Sequence, residues 1–245
     1  MKYFKTLTFM LFSIFTTAVC AAPKVLIVLT SHAQMGDTEE QTGFWLTELT
    51  HPYYELTKSG IEVDIASIKG GPAPIDPRSI NQNEKDTQTF LEDKALMAKV
   101  YTTLKLSQVN GKDYNAVLYS GGHGTMWDFT QDPNINNISR DIYLNNGIVA
   151  ALCHGPAALL NIQLNNGQYL IDGKKITGFT NEEEKQIKLD KVVPYLLETE
   201  LKNRGAQFEA AQPWQSKVVI DQRIVTGQNP QSAQAVGKAL VKLLK

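Results

Sequence analysis

The 245-residue chain has only two cysteines, Cys20 and Cys153, too few for a disulfide framework. It also lacks a basic excess: 24 Lys and Arg face 25 Asp and Glu, a formal net charge of −1. No basic stripe interleaved with aromatics occurs, so a dedicated nucleic-acid binder is excluded. No apolar run reaches the about 20 residues that a membrane-crossing helix needs. The glycine-rich stretch Ser120–Gly124 is not followed by Gly-Lys-Ser/Thr, which excludes a phosphate loop. The four histidines, His32, His51, His123 and His154, have no metal-ligand spacing, and no metal is expected. Repeats and low-complexity linkers are missing too. What remains is a sequence of 42% apolar and 20% charged residues, able to bury one substantial core.

The N-terminus has an organisation of its own. Lys2 and Lys5 precede the apolar run Leu7–Val19, and the small residues Cys20, Ala21 and Ala22 follow. That order is the grammar of a secretory signal cut after Ala21; an uncleaved anchor and a lipid on Cys20 are the alternatives. Residues 1–21 are expected to be a signal peptide and residues 22–245 one domain, exported to a periplasmic location without stable membrane insertion. Cleavage removes Cys20, so Cys153 then has no intramolecular disulfide partner.

From Lys24 onward, strand-like and helix-like runs alternate. Val25–Leu29, Ile61–Ser67, Ala116–Tyr119, Gly147–Leu152 and Lys175–Phe179 read as strands, and Gly43–Ser59 and Asp86–Leu106 as helices. Continuous apolar strands in a βαβα order predict an α/β fold with a mostly parallel sheet covered on both faces. Lys217–Ile220 and Arg223–Thr226 flank Asp221-Gln222 as a hairpin. Asn229 and Pro230 open a last helix whose buried stripe is Val236, Leu240, Leu243 and Leu244.

The most informative segment is Ala151-Leu-Cys153-His154-Gly155, the small-x-nucleophile-x-small layout of a nucleophile elbow. A sharp strand-to-helix turn there lifts the sulfur to the carboxyl end of the sheet, where a helix N-terminus favours thiolate. A buried structural cysteine is the competing reading. Gly121 and Gly122, at the end of the preceding strand, let backbone N–H groups approach a substrate oxygen and form an oxyanion hole with the His154 N–H; a plain tight turn is the alternative. His123 reads as a pocket-lining residue, and His32 and His51 as ordinary polar positions. Glu48 lies in Phe44-Trp-Leu-Thr-Glu48-Leu, either on the solvent face or buried with a raised pKa suited to acid-base work. The run Glu182-Glu183-Glu184 reads as a solvated first helical turn, one member of which is able to orient His154.

Six segments carry a family resemblance: Lys24–Leu29, Thr42–Pro52, Ser120–Thr125, Ala151–Pro156, Thr177–Asn181 and Val225–Pro230. Together they resemble the ThiJ/PfpI (DJ-one) superfamily, and within it the branch of small heat-shock chaperones and glyoxalase III proteins. The resemblance implies a flavodoxin-like three-layer sandwich related to class I glutamine amidotransferases. It implies Cys153 as nucleophile, Glu48 as the acid beside its sulfur, His154 as the neighbouring imidazole and Glu184 as the best-aligned third member, with Gly121, Gly122 and His123 lining the pocket. The implied activity is cofactor-independent conversion of methylglyoxal to D-lactate, or deglycation of 2-oxoaldehyde adducts. A holdase chaperone and an amidase or peptidase using the same residues are the alternatives. The implied partners are a small aldehyde and a second copy of the chain in a homodimer.

Overall fold

In the computed structural model, residues 22–81 and 83–245 are described; the expected signal peptide and Cys20 lie outside them. The first strand, β1 (Lys24–Leu29), is flanked by β2 (Glu62–Ser67) and β4 (Ala116–Tyr119), both parallel to it. Beyond β2 lies the two-residue β3 (Leu104–Lys105). Beyond β4 come β5 (Ile148–Leu152), then β9 (Ile224–Gly227), then β8 (Val218–Asp221). All neighbours in this seven-stranded sheet are parallel except β8 and β9, which form a hairpin.

The period-2 alternation of a strand sends successive side chains to opposite faces. Val25, Ile27 and Leu29 therefore join one core, and Leu26 and Val28 the other. The first core is closed by α1 (Leu46–Lys58), α2 (Lys85–Glu92), α3 (Lys94–Tyr101) and α8 (Ala233–Leu244), through Leu49, Phe90, Val100 and Val236 among others. The second is closed by α4 (Thr125–Asp128), α5 (Pro133–Leu144), a 3-10 helix at Gly155–Asn161 and α7 (Leu197–Asn203). Three layers with both sheet faces buried explain why the strands read as uninterrupted apolar runs. Among the described residues, no helix is long and apolar enough to cross a membrane.

Several boundaries differ from the sequence expectation. The first helix starts at Leu46 rather than Gly43, because Phe44 first bridges to Ile75 in strand fashion and donates its N–H to the Pro74 carbonyl. The expected helix over 86–106 is two helices broken at Asp93, whose carboxylate caps the second by accepting the Leu96 N–H at 2.9 Å. Only Lys175–Ile176 of the expected strand at 175–179 is a strand. It forms β6, paired with β7 (Gln207–Phe208) in a separate two-stranded sheet, because the slot beside β5 is taken by β9. The hairpin turns one residue later than expected, at Gln222-Arg223, since Asp221 pairs with Ile224 and Gln222 has φ +55°. Asn229 does not cap the last helix; a 3-10 turn, Pro230–Ser232, intervenes and Leu243 is exposed.

Candidate active site

The chain runs outward from β1 through β2 to β3, then crosses back to β4. This reversal opens a crevice at the carboxyl ends of the central strands, the place where open α/β sheets bind ligands. β4 delivers Ser120–Gly124 to it and β5 delivers Cys153. Cys153 has φ +57°, a left-handed conformation that a non-glycine residue holds only when its surroundings impose it. Its N–H is tied to the Gly227 carbonyl at 2.9 Å, and its carbonyl accepts the Phe179 N–H at 2.8 Å. The elbow closes because Gly155 has no side chain: a Cβ there would lie 2.2 Å from the Tyr119 carbonyl oxygen.

The left-handed turn brings consecutive side chains together. Sγ of Cys153 lies 3.4 Å from Nδ1 of His154. Nε2 of His154 lies 2.7 Å from Oε2 of Glu184, so sulfur, imidazole and carboxylate form one hydrogen-bonded line. Both side chains of the His154–Glu184 pair are almost fully buried. Burial acts to raise the Glu184 carboxyl, but the imidazoles of His154 and His123 outweigh it and hold the group well below the usual carboxylate range. The neighbouring acids do other work. Glu183 forms a capping box with Thr180 and accepts from the Trp214 N–H and the Gln228 and Asn229 amides; Glu182 pairs with Gln186 at the surface.

Glu48, at the third position of α1, is completely buried. Its Oε2 accepts the Gly121 N–H at 2.9 Å, and its carboxyl interacts with the Cys153 side chain. Burial pushes it up to about 8, so at neutral pH it carries a proton beside the sulfur. The Cys153 thiol is likewise pushed well above its ordinary value by burial and by Glu48. This corrects the expected thiolate-favouring helix terminus: the following segment is a short 3-10 helix, and the sulfur is enclosed. The His154 Nδ1, 3.4 Å from the sulfur, is placed to accept its proton.

The expected oxyanion hole is also changed. The Gly121 N–H is consumed by Glu48, and a Cβ at Gly121 would stand 2.5 Å from Glu48 Oε2. The Gly122 N–H makes no backbone hydrogen bond among the described residues, and the His154 N–H is directed to the sulfur. Of the three expected donors, the Gly122 N–H is thus the one left, among the described residues, without a partner of its own to meet a reacting oxygen.

The crevice is a cavity of about 860 Å³, with Cys153, His154, Gly122 and His123 at its base and Trp45 and Trp214 on its walls. Phe179 lies against the His154 ring at 4.3 Å between centroids. His51 pairs with Asp86, both lining the same cavity, and His32 stacks on Trp127. His123, His154 and Glu184 offer ligand atoms within 4.8 Å of one another. Arg78, however, approaches His123 Nδ1 at 3.1 Å, and a guanidinium only donates. The proton of His123 is thereby assigned to Nε2, the nitrogen a metal would need, so the cluster is a hydrogen-bond network. Arg78 escaped the sequence reading; its signal was a charged residue in the Gly- and Pro-rich loop after β2.

Residues 38–243 match the DJ-1/PfpI family. The chain belongs to that family. It is 34% identical over 236 residues to the glutathione-independent glyoxalase HSP31 of Saccharomyces cerevisiae, covering 92% of this chain and 99% of the relative. The crystal structure of glyoxalase III from Candida albicans superposes with a TM-score of 0.85 at 29% identity, over 91% of this chain and 98% of that one. The Rapid Encystment Protein 24 kDa of Francisella tularensis superposes with a TM-score of 0.88 at 48% identity, over 91% and 99% of the two chains. Within this DJ-1/PfpI fold, Cys153, His154, Glu184 and Glu48 converge at one point, while Gly121 serves Glu48 rather than the cavity.

Proposed function

We propose that the protein is a cysteine-dependent, glutathione-independent glyoxalase of the glyoxalase III type, converting methylglyoxal to D-lactate. The observation that carries this reading is a protonated carboxyl, Glu48, on one side of a thiol whose other side faces His154 and Glu184. His154 takes the thiol proton as sulfur adds to the aldehyde carbon, and Glu48 gives its proton to the new alkoxide. Glu48, now a carboxylate, removes the hydrogen from that carbon while protonated His154 gives its proton to the ketone oxygen, forming an enediol. Glu48 then returns the hydrogen to the former ketone carbon as the hydroxyl on the sulfur-bearing carbon gives its proton back to His154. The resulting lactoyl thioester is hydrolysed by water, which regenerates the thiol. The oxidation of one carbon matches the reduction of its neighbour, so no external redox partner is needed. Purified protein should form D-lactate from methylglyoxal without glutathione, and Cys153→Ala should abolish it while the circular dichroism spectrum is unchanged. Absence of product from folded wild-type protein would overturn the assignment.

The 3.4 Å contact between Cys153 and His154 also favours a hydrolytic second reading, cleavage of 2-oxoaldehyde adducts or amides through an acyl-enzyme. The cavity of about 860 Å³ has room for such adducts. Mass-spectrometric trapping of Cys153 carrying the acyl group of an amide or ester substrate separates amide cleavage from isomerisation, which leaves only a lactoyl group on the sulfur. Export to the periplasm is proposed on Lys2, Lys5 and the run Leu7–Val19; N-terminal sequencing of protein from a fractionated cell tests it, and a start at Met1 refutes it. Assembly as a homodimer is proposed on the superfamily resemblance, and sedimentation of a monomer at micromolar concentration refutes that.

A further inference from the structure

The hydrogen-bonded line of the active site does not end at Glu184. Its second oxygen, Oε1, lies 3.0 Å from Nε2 of His123, whose ring packs 4.0 Å from that of His154 between centroids. On the far side, Nη2 of Arg78 approaches Nδ1 of His123 at 3.1 Å. Arg78 is itself clamped to buried Asp76, with Nε at 3.0 Å from Oδ1 and Nη2 at 2.6 Å from Oδ2, and Thr42 adds a hydroxyl donor to the same carboxylate at 2.9 Å. Two loops that sequence separation hides from each other thus meet behind the triad.

We propose that Arg78 and His123 are positioning residues: Arg78 fixes the tautomer of His123, and His123 in turn holds Glu184 in the orientation and charge state that His154 requires. The argument is one of donor bookkeeping. A guanidinium has no lone pair to offer, so Nδ1 of His123 must accept and the ring proton must sit on Nε2. That proton has one acceptor, Oε1 of Glu184. Glu184 then receives one N–H on each oxygen, and its remaining choice, Oε2, directs the Nε2–H of His154. With the proton of His154 on Nε2, its Nδ1 is bare toward Sγ and ready to take the thiol proton. Burial, the neighbouring His154 and Arg78 together lower His123 to about 4, which keeps it a neutral donor rather than a charged one. The groups facing it are Arg78, Glu184 and His154.

This inference rests on the glyoxalase reading only for its kinetic assay; its structural content is testable without substrate. In 15N-labelled protein, the His123 ring should show a protonated Nε2, an unprotonated Nδ1 and no titration between pH 5.5 and 9. A ring that titrates near neutrality, or carries its proton on Nδ1, overturns the proposal. In Arg78→Met the same signals should become a mixture of tautomers. His123→Leu should lower kcat about 30- to 100-fold with KM changed less than threefold. It should also slow Cys153 alkylation by iodoacetamide at pH 7 about tenfold, and His123→Gln, which restores an N–H toward Glu184, should recover most of both losses. A pure KM effect would mean that His123 only contacts substrate, and unchanged alkylation would mean that it does not act on the sulfur. Loss of D-lactate formation in the wild type with the expected tautomer and alkylation results would refute the glyoxalase reading and leave the positioning role standing.

Discussion

Holding a proton on Glu48 has a cost that stability measurements can read. Its pKa of about 8, against 4.5 for an ordinary glutamate, means that between these values the folded protein binds a proton the unfolded chain has released. Stability therefore falls with rising pH across that window, by up to about 1.4 kcal/mol per pH unit. Below pH 4.5 the penalty vanishes, and above about 8 it is constant. From pH 5 to pH 7 the contribution integrates to about 2.5 kcal/mol. Glu48→Gln removes the ionisation but keeps an acceptor for the Gly121 N–H, so the variant should gain about 2.5 kcal/mol relative to wild type over those two pH units. For a domain of this size that is a relative shift of roughly 5–10 °C in Tm. The new carboxamide N–H group, buried near the thiol, adds a pH-independent cost of about 1–3 kcal/mol, which sets the offset of the two curves but not their divergence. Urea denaturation of both proteins at half-unit pH intervals supplies the measurement. Parallel curves would show that Glu48 is ionised in the folded state and would remove the acid from the mechanism.

Activity should follow the same proton: kcat/KM for methylglyoxal should decline above about pH 8 as Glu48 loses the proton it gives to the alkoxide, and a pH-independent rate to pH 10 would contradict that role. Glu184→Gln should lower kcat by about 10²–10⁴-fold and should also lower Tm, because the buried carboxylate accepts both histidine N–H groups and a carboxamide would turn an N–H toward one of them. Glu183→Gln should likewise destabilise, by about 1–3 kcal/mol, while kcat stays within a fewfold of wild type, since its partners are Thr180, Trp214, Gln228 and Asn229. Gly155→Ala forces a Cβ against the Tyr119 carbonyl and should cost about 3–5 kcal/mol, seen as lost soluble yield or a lowered urea midpoint.

The buried strands were legible because a sheet covered on both faces demands unbroken apolar runs, and Val25–Leu29, Ala116–Tyr119 and Gly147–Leu152 supply them. Lys175–Phe179 has the same local character, yet the position beside β5 is filled by Ile224–Gly227 from much later in the chain, and no local pattern announces that competition. Asp93 is tolerated within helices as well as at their starts, so the break in 86–106 depended on its capping bond to Leu96. Cys153, His154 and Gly155 were readable because the elbow is contiguous. The protonation of Glu48, the loss of the Gly121 amide and the part played by Arg78 arise from partners 73 and 45 residues apart in sequence. Burial and charge at such distances are properties of the assembled fold.

The three glutamates at the start of α6 (Asn181–Gln186) acquire a further meaning from helical rotation. Each residue turns the side chain by about 100°, so three identical side chains in succession face three different environments. Glu182 meets solvent, Glu183 gathers donors from the Trp214 and Gln228–Asn229 segments, and Glu184 meets the histidines. The working carboxylate thus inherits its place from the adjoining residue, which fastens the helix to two distant stretches of chain. Register, rather than composition, distinguishes the three. A single-residue insertion between Thr180 and Glu182 would preserve every acid and still bring the wrong one to His154. The short helix is a dial with one productive setting, and Glu183 is the pin that stops it turning.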